Sequence, residues 1–124
     1  MKKFASHRLY IPHLDLLLKN HVVEVAEVKG EVVGYYPFTE EIPYTEWLNG
    51  IIVLSYYKPI ISLDPVPNSA DNSLVLYIGQ DKKIRSVIPH GANMTFPTLK
   101  AYYVTMFNVS EMSFSPDSRI LELV

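Results

Sequence analysis

The apolar positions of this chain fall in short runs and alternations of period two, broken by proline, glycine and small polar residues. Val22, Val23, Val25 and Val28 enclose Glu24 and Glu27, a β-branched, half-polar pattern that predicts a half-buried strand. A helical stripe through Val25, Val28 and Val32 would carry Gly30 and Gly34 in its interior at about 1 kcal/mol each, so the strand is preferred. Lys29-Gly30-Glu31 reads as a turn, with glycine able to supply a positive φ. Val32-Val33-Gly34-Tyr35-Tyr36 returns as the second strand of a hairpin and stops at Pro37, which cannot donate to a ladder. Phe38 to Trp47 mixes acidic, apolar and proline residues and is expected to form a loop or one helical turn starting near Pro43. Thr45 to Gly50 is expected to be a short turn closed by Asn49-Gly50. Ile51-Ile52-Val53-Leu54 is a continuous apolar run of strand length, which predicts a strand buried on both faces.

The flanking segments follow the same grammar. Phe4 to Ile11 predicts a first strand broken at Pro12. His13 to His21 is expected to be strand or extended loop, with a short helix as the alternative and a tight turn at Asn20-His21. Ile60-Ile61 after Pro59 suggests an edge strand. Asp64 to Ser73 is the longest loop signal in the chain and is expected to cross from one sheet to the other, or around a barrel end. Leu74 to Ile78, a turn at Gly79 to Lys82 and Ile84 to Ile88 form a second hairpin. Its pattern repeats the first: Val22-Val23 aligns with Leu74-Val75, Val32 with Ile84, and Tyr35-Tyr36-Pro37 with Val87-Ile88-Pro89. Leu99 to Val109 has bulky residues on both faces and is expected to be central or interfacial. Met112 to Ser115 reads as a short strand, Pro116 to Ser118 as a turn, and Arg119 to Val124 as the last strand.

The cadence of Val22 to Ser55, with KGEVVGYYPF in its turn and return strand and EWLNGIIVLS after it, resembles the small β domain that opens amidohydrolase-type metal-dependent hydrolases. In that family a dipeptide like Gly30-Glu31 precedes an apolar return strand, and a run like Gly50 to Leu54 leads to a Pro-Gly turn and an HxH metal motif. Here the run leads instead to Ser55-Tyr56-Tyr57-Lys58-Pro59. The resemblance covers about the first 55 residues and implies the fold of the accessory β domain, with no metal ligand carried over. An α/β barrel needs about 250 residues and cannot fit in this chain.

Composition narrows the function classes. Apolar residues at 48% and charged residues at 19% describe an ordered globular chain, read as one domain over residues 1–124. A formal charge of −2 argues against a general nucleic-acid binder. The two basic groups, Lys2-Lys3 with Arg8 and Lys82-Lys83 with Arg85, are read as solvated surface. The chain has no cysteine, which excludes thiol catalysis, disulfides and cysteine-ligated zinc. Polar residues interrupt the first stretch, so no secretion signal is expected. No apolar run approaches a membrane-spanning length, and the cytoplasm is the expected compartment.

Candidate chemistry is sparse. His7, His13 and His21 have spacings that match no compact metal motif, and Pro12 prevents them from lining one unbroken strand. His90 lies beside Gly91, where a loop backbone could approach a ligand and the imidazole could act as a base. Glu40, Glu41 and Glu46 near Trp47 are the ingredients of a two-carboxylate hydrolase, yet they are read as solvated loop. The motifs of nucleotide binding, serine hydrolysis, zinc proteolysis and calcium binding are missing. Tyrosine carries the strongest signal. Tyr35-Tyr36, Tyr56-Tyr57 and Tyr102-Tyr103 are doublets on or beside strands, and the outward member of each could form an interface or a pocket.

The sequence therefore predicts an all-β fold, a sandwich or partly open barrel of about eight to ten short, mostly antiparallel strands. The expected function is a non-catalytic module that acts through protein association, as a homo-oligomer or by docking to a partner chain. No cofactor, metal, nucleic acid or membrane is expected. The alternative is a small-ligand-binding barrel or minor enzyme with a site near His90. The candidate ligand contacts are His90, Tyr36, Tyr57, Tyr103 and Trp47.

Overall fold

The computed structural model describes residues 1–40, 42–89 and 98–124. Within them the chain forms nine strands: β1 (Lys2–Ile11), β2 (Leu16–Val25), β3 (Val32–Pro37), β4 (Thr45–Ser55), β5 (Lys58–Ile61), β6 (Ser73–Ile78), β7 (Ile84–Val87), β8 (Lys100–Val104) and β9 (Ile120–Glu122). A six-stranded sheet has the order β3-β2-β1-β4-β8-β9, and a three-stranded sheet has the order β5-β6-β7. Two ladders are parallel, β1 with β4 and β5 with β6, and the other five are antiparallel.

Apolar alternation decides how the sheets stack. Along β4, Ile52 and Leu54 enter one core while Ile51 and Val53 enter another, and all four are fully buried. Each is worth about 1.5–3 kcal/mol relative to an exposed side chain. The first core also takes Phe4, Leu9, Ile11, Val23 and Val25, all from the six-stranded sheet. That sheet therefore curls over its own apolar face. Its β3 edge meets the start of β8 at one corner, where Glu31 bridges Lys100 and the Val32 N–H donates to the Leu99 carbonyl at 2.9 Å. It is not closed into a barrel. The second core holds Tyr10, Ile51, Val53 and Val104 against Leu74, Leu76 and Ile84 of the small sheet. The outcome is a sandwich-like stack with a curled sheet as its larger layer.

A line of bends lets the large sheet curl. Between the pairs Ser6–Leu48 and Arg8–Ile51, β4 spends two residues, Asn49-Gly50, where β1 spends only His7. Gly50 takes φ 115° there, a conformation open to glycine, and its N–H reaches Nδ1 of His7 at 3.4 Å. On the neighbouring strand Asn20 takes φ 50° at the same level. The three strands turn together.

Several expectations are corrected. Thr45 to Gly50 is not a turn but the first half of β4, because the Asn49-Gly50 bulge absorbs the bend without ending the strand. Asn20-His21 is likewise a kink inside β2 rather than a turn, and the reversal lies earlier, in the 3-10 turn Pro12–Leu14. Asp64 to Ser73 joins β5 to β6 within the small sheet and does not cross between sheets. The strand expected from Leu99 to Val109 ends at Val104, since Met106 adopts φ 54°. Met112 to Ser115 contributes a single bridge, Asn108 with Ser113.

Candidate functional site

The hairpin reversal at Pro12–Leu14 places Arg8 on β1 directly opposite Lys19 on β2. Like charges facing each other across a strand pair are destabilising, and neither side chain has a carboxylate within ion-pair distance among the described residues. The second hairpin brings three more cations to the same place. Its turn holds Lys82 at φ 62° with the Lys82 N–H donating to the Gly79 carbonyl at 2.9 Å, and Lys83 and Arg85 follow.

Arg8, Lys19, Lys82, Lys83 and Arg85 then line one cleft of about 510 Å³ between the two sheets. Five of the eleven lysines and arginines of a chain with net charge −2 converge there. Asp15 is the acid in the lining, and Asp81 engages Arg85 from outside it. The Arg85 hydrogen bond holds the Asp81 carboxyl below its ordinary range, and Asp81 in turn raises Arg85. Tyr10, Leu17, Ile84 and Met112 supply an apolar floor.

Tyr10 ties the cleft to the core. Its ring is buried in the inter-sheet core, and its hydroxyl lies within hydrogen-bonding distance of both Ser86 and Asp15, at 3.3 and 3.5 Å. Burial pushes the phenol up, the hydrogen-bonding contact with Ser86 opposes that, and the Asp15 charge adds to it. The hydroxyl is neutral, so it offers no negative charge to the five cations. The arrangement suits an anion carrying apolar groups. Carboxylates or phosphates would meet the rim, and hydrocarbon would meet the floor.

The residues singled out from sequence are dispersed. Tyr36, at the edge of the large sheet, donates to Glu24 at 2.9 Å. Trp47 and Tyr103 do come together, through Asn49: the indole N–H donates to Asn49 Oδ1 at 3.0 Å and the Tyr103 hydroxyl to the Asn49 carbonyl at 2.6 Å. His7 stands edge-on to the Trp47 ring at 4.9 Å. Tyr57 lines a separate, apolar pocket of about 290 Å³ with Pro12, His13, Tyr56, Leu74 and Ile88. His90 lies outside the described residues, as does Glu41. Among the described residues no group of three or more His, Asp or Glu could hold a metal ion.

In the sequence the basic residues fall into two separate groups, with Arg8 beside Lys2-Lys3. The structure leaves Lys2 and Lys3 in a different groove, with Glu46 and Glu122, and adds Lys19 to the cleft. A signal was available. Arg8 and Lys19 stand at nearly equal remove from the Pro12 reversal, as cross-strand partners in a hairpin must. Comparisons with protein-family models, with curated proteins and with solved structures find no match to this chain.

Proposed function

We propose that this chain is a non-catalytic association module whose working surface is the cationic cleft between its sheets, and that it docks an acidic, apolar-containing segment of a protein partner there. One observation carries the reading: five cations meet in a single cleft, two of them directly opposed across a strand pair, on a chain that is acidic overall. Folding alone gains nothing from placing Arg8 against Lys19. The apolar floor of Leu17, Ile84 and Met112 favours a peptide, which brings side chains, over a bare inorganic anion. Two further exposed leucines, Leu14 and Leu16, extend apolar surface from the hairpin tip beside it.

The test is fluorescence anisotropy with a labelled peptide of alternating glutamate, leucine and tyrosine, beside a control in which glutamine replaces glutamate. Binding of the acidic peptide that weakens at least about tenfold from low salt to about 0.5 M is expected, as is a similar loss in the Lys82→Glu/Lys83→Glu double variant. Equal binding of the glutamine control, or no effect of the double variant, would show that the cleft is not the docking surface.

A second reading rests on the apolar pocket beside Tyr56 and Tyr57, whose rings and volume suit a small uncharged aromatic molecule. Titration with indole, followed by backbone amide shifts, checks it. Shifts confined to Tyr56, Tyr57, Leu74 and Ile88 support it, and their absence at millimolar indole removes it.

A further inference from the structure

The chain carries an acidic segment complementary to its own cleft. No lysine or arginine occurs between Lys29 and Lys58, while glutamates recur through that stretch. Its exposed residues gather around the connection from β3 to β4 and the start of β4. Glu40 and Glu46 are exposed there, and Tyr44 between them is 98% exposed at φ 60°. Neither Glu40 nor Glu46 forms an ion pair among the described residues.

The described residues of this connection do not line the cleft of their own molecule. The connection is held at both ends: the Phe38 N–H donates to the Asn20 carbonyl at 2.8 Å, the Phe38 ring stands against Trp47 at 5.6 Å, and Thr45 is paired with Lys3 on β1. Tyr44 shares a groove with Lys2, Lys3 and the last residues of the chain, toward the opposite end of β1 from Arg8 and Tyr10. An apolar and acidic strip on one molecule therefore stands away from a cationic cleft with an apolar floor on the same molecule.

We infer that the acidic segment docked by the cleft is the strip of Glu40, Tyr44 and Glu46 on a second copy of this chain, so that molecules associate head to tail. The inference rests on the reading of the cleft as a docking surface. Tyr44 enters against Leu17, Ile84 and Met112, and Glu40 and Glu46 meet the lysines and arginines of the rim. Such a contact is heterologous, since one face of each molecule meets a different face of the next, and it builds rings or open chains rather than two-fold dimers. A loop in a cleft buries less than the roughly 1,200 Å² of a stable interface. The association is accordingly weak, concentration-dependent and sensitive to salt.

A pair of charge reversals tests the geometry by sedimentation velocity. Lys82→Glu/Lys83→Glu spoils the cleft and keeps the loop; Glu40→Lys/Glu46→Lys spoils the loop and keeps the cleft. The unaltered chain is expected to form larger species as concentration rises and to dissociate in about 0.5 M salt. Each variant alone is expected to stay monomeric, and an equal mixture of the two to associate again, the unaltered cleft of one taking the unaltered strip of the other. Neutral replacements, Lys83→Gln and Glu40→Gln, repeat the experiment if a reversal lowers the melting temperature. Association indifferent to salt and to both reversals overturns the inference, as does a mixture that stays monomeric. An unaltered chain that binds the acidic peptide yet never self-associates overturns it while leaving the cleft reading intact. Loss of peptide binding removes both.

Discussion

The hydroxyl of Tyr10 lies 3.3 Å from Oγ of Ser86, joining β1 of the large sheet to β7 of the small one at the edge of the cleft. The ring below it is only 1% exposed and belongs to the core between the sheets. Tyr10→Phe keeps the ring and removes the bridge, and should cost about 1 kcal/mol, or about 4 °C in melting temperature for a chain of this size. Tyr10→Ala removes the ring as well and should cost about 3–5 kcal/mol. An unchanged midpoint in Tyr10→Phe would mean that the sheets are not coupled through this contact.

Alkaline pH should loosen the same junction. Burial raises the Tyr10 phenol, and burial followed by the Glu122 charge raises Tyr102. Above the ordinary phenol value near 10 the unfolded chain loses these protons while the folded chain keeps them, so the folded state binds more protons. The stabilisation is complete below pH about 10 and is lost as pH rises through the folded values. Urea midpoints at stepped pH check this. Tyr10→Phe and Tyr102→Phe should each flatten the decline, and a midpoint constant from neutrality to pH about 11 would contradict the assignment.

The two-core arrangement predicts contrasting costs. Ile52 is fully buried in the core of the curled sheet, and Ile52→Ala should cost about 2–5 kcal/mol. Val33 sits exposed on the edge strand, and Val33→Thr should change stability by less than about 0.5 kcal/mol. Urea denaturation of the two variants measures the contrast; similar midpoints would mean that the large sheet does not enclose a packed core.

Strands were legible in this sequence where burial pattern and turn chemistry agreed. Ile51 to Leu54 announced its burial on two sides, and the structure assigns those four residues alternately to two cores. The hairpins around Gly30 and Gly79 were legible for the same reason. Legibility failed where a left-handed residue served a strand instead of ending it. Asn49-Gly50 and Asn20 have the composition of turns, yet ladders on both sides hold them in register as bends. The cationic cleft was hidden for another reason. Lys19 and Lys82 are distant in sequence, and only the stacking of one hairpin on the other joins them.

The glycines should separate by local geometry. At Gly34 an added Cβ would meet no heavy atom within 4 Å, and φ is not positive, so Gly34→Ala should be neutral or stabilise by about 0.4–1 kcal/mol. At Gly50, φ is 115° but the nearest neighbour would be Phe107 at an ordinary 3.7 Å, so alanine meets backbone strain alone. At Gly30, φ is 67° and a Cβ would stand 2.8 Å from Val124 Cγ1. Melting temperatures should therefore be highest for Gly34→Ala, with Gly50→Ala and Gly30→Ala both lower. A Gly50→Ala variant as stable as Gly34→Ala would remove the bulge as the source of the bend.

Lys82 joins stability to the proposed docking surface. It occupies the left-handed region at φ 62°, where a lysine is disfavoured by about 1–2 kcal/mol and asparagine is better tolerated. Its charge faces the cleft with Lys83 and Arg85. Lys82→Asn should relieve part of the backbone cost and stabilise the chain by about 0.5–1 kcal/mol, while weakening the acidic peptide by about threefold through the lost charge. Opposite movements of melting temperature and peptide affinity in one variant would identify Lys82 as a residue kept for binding at some expense to folding. If affinity holds while stability rises, the charge at this position does not serve the cleft, and docking must depend on Arg8, Lys19, Lys83 and Arg85 alone.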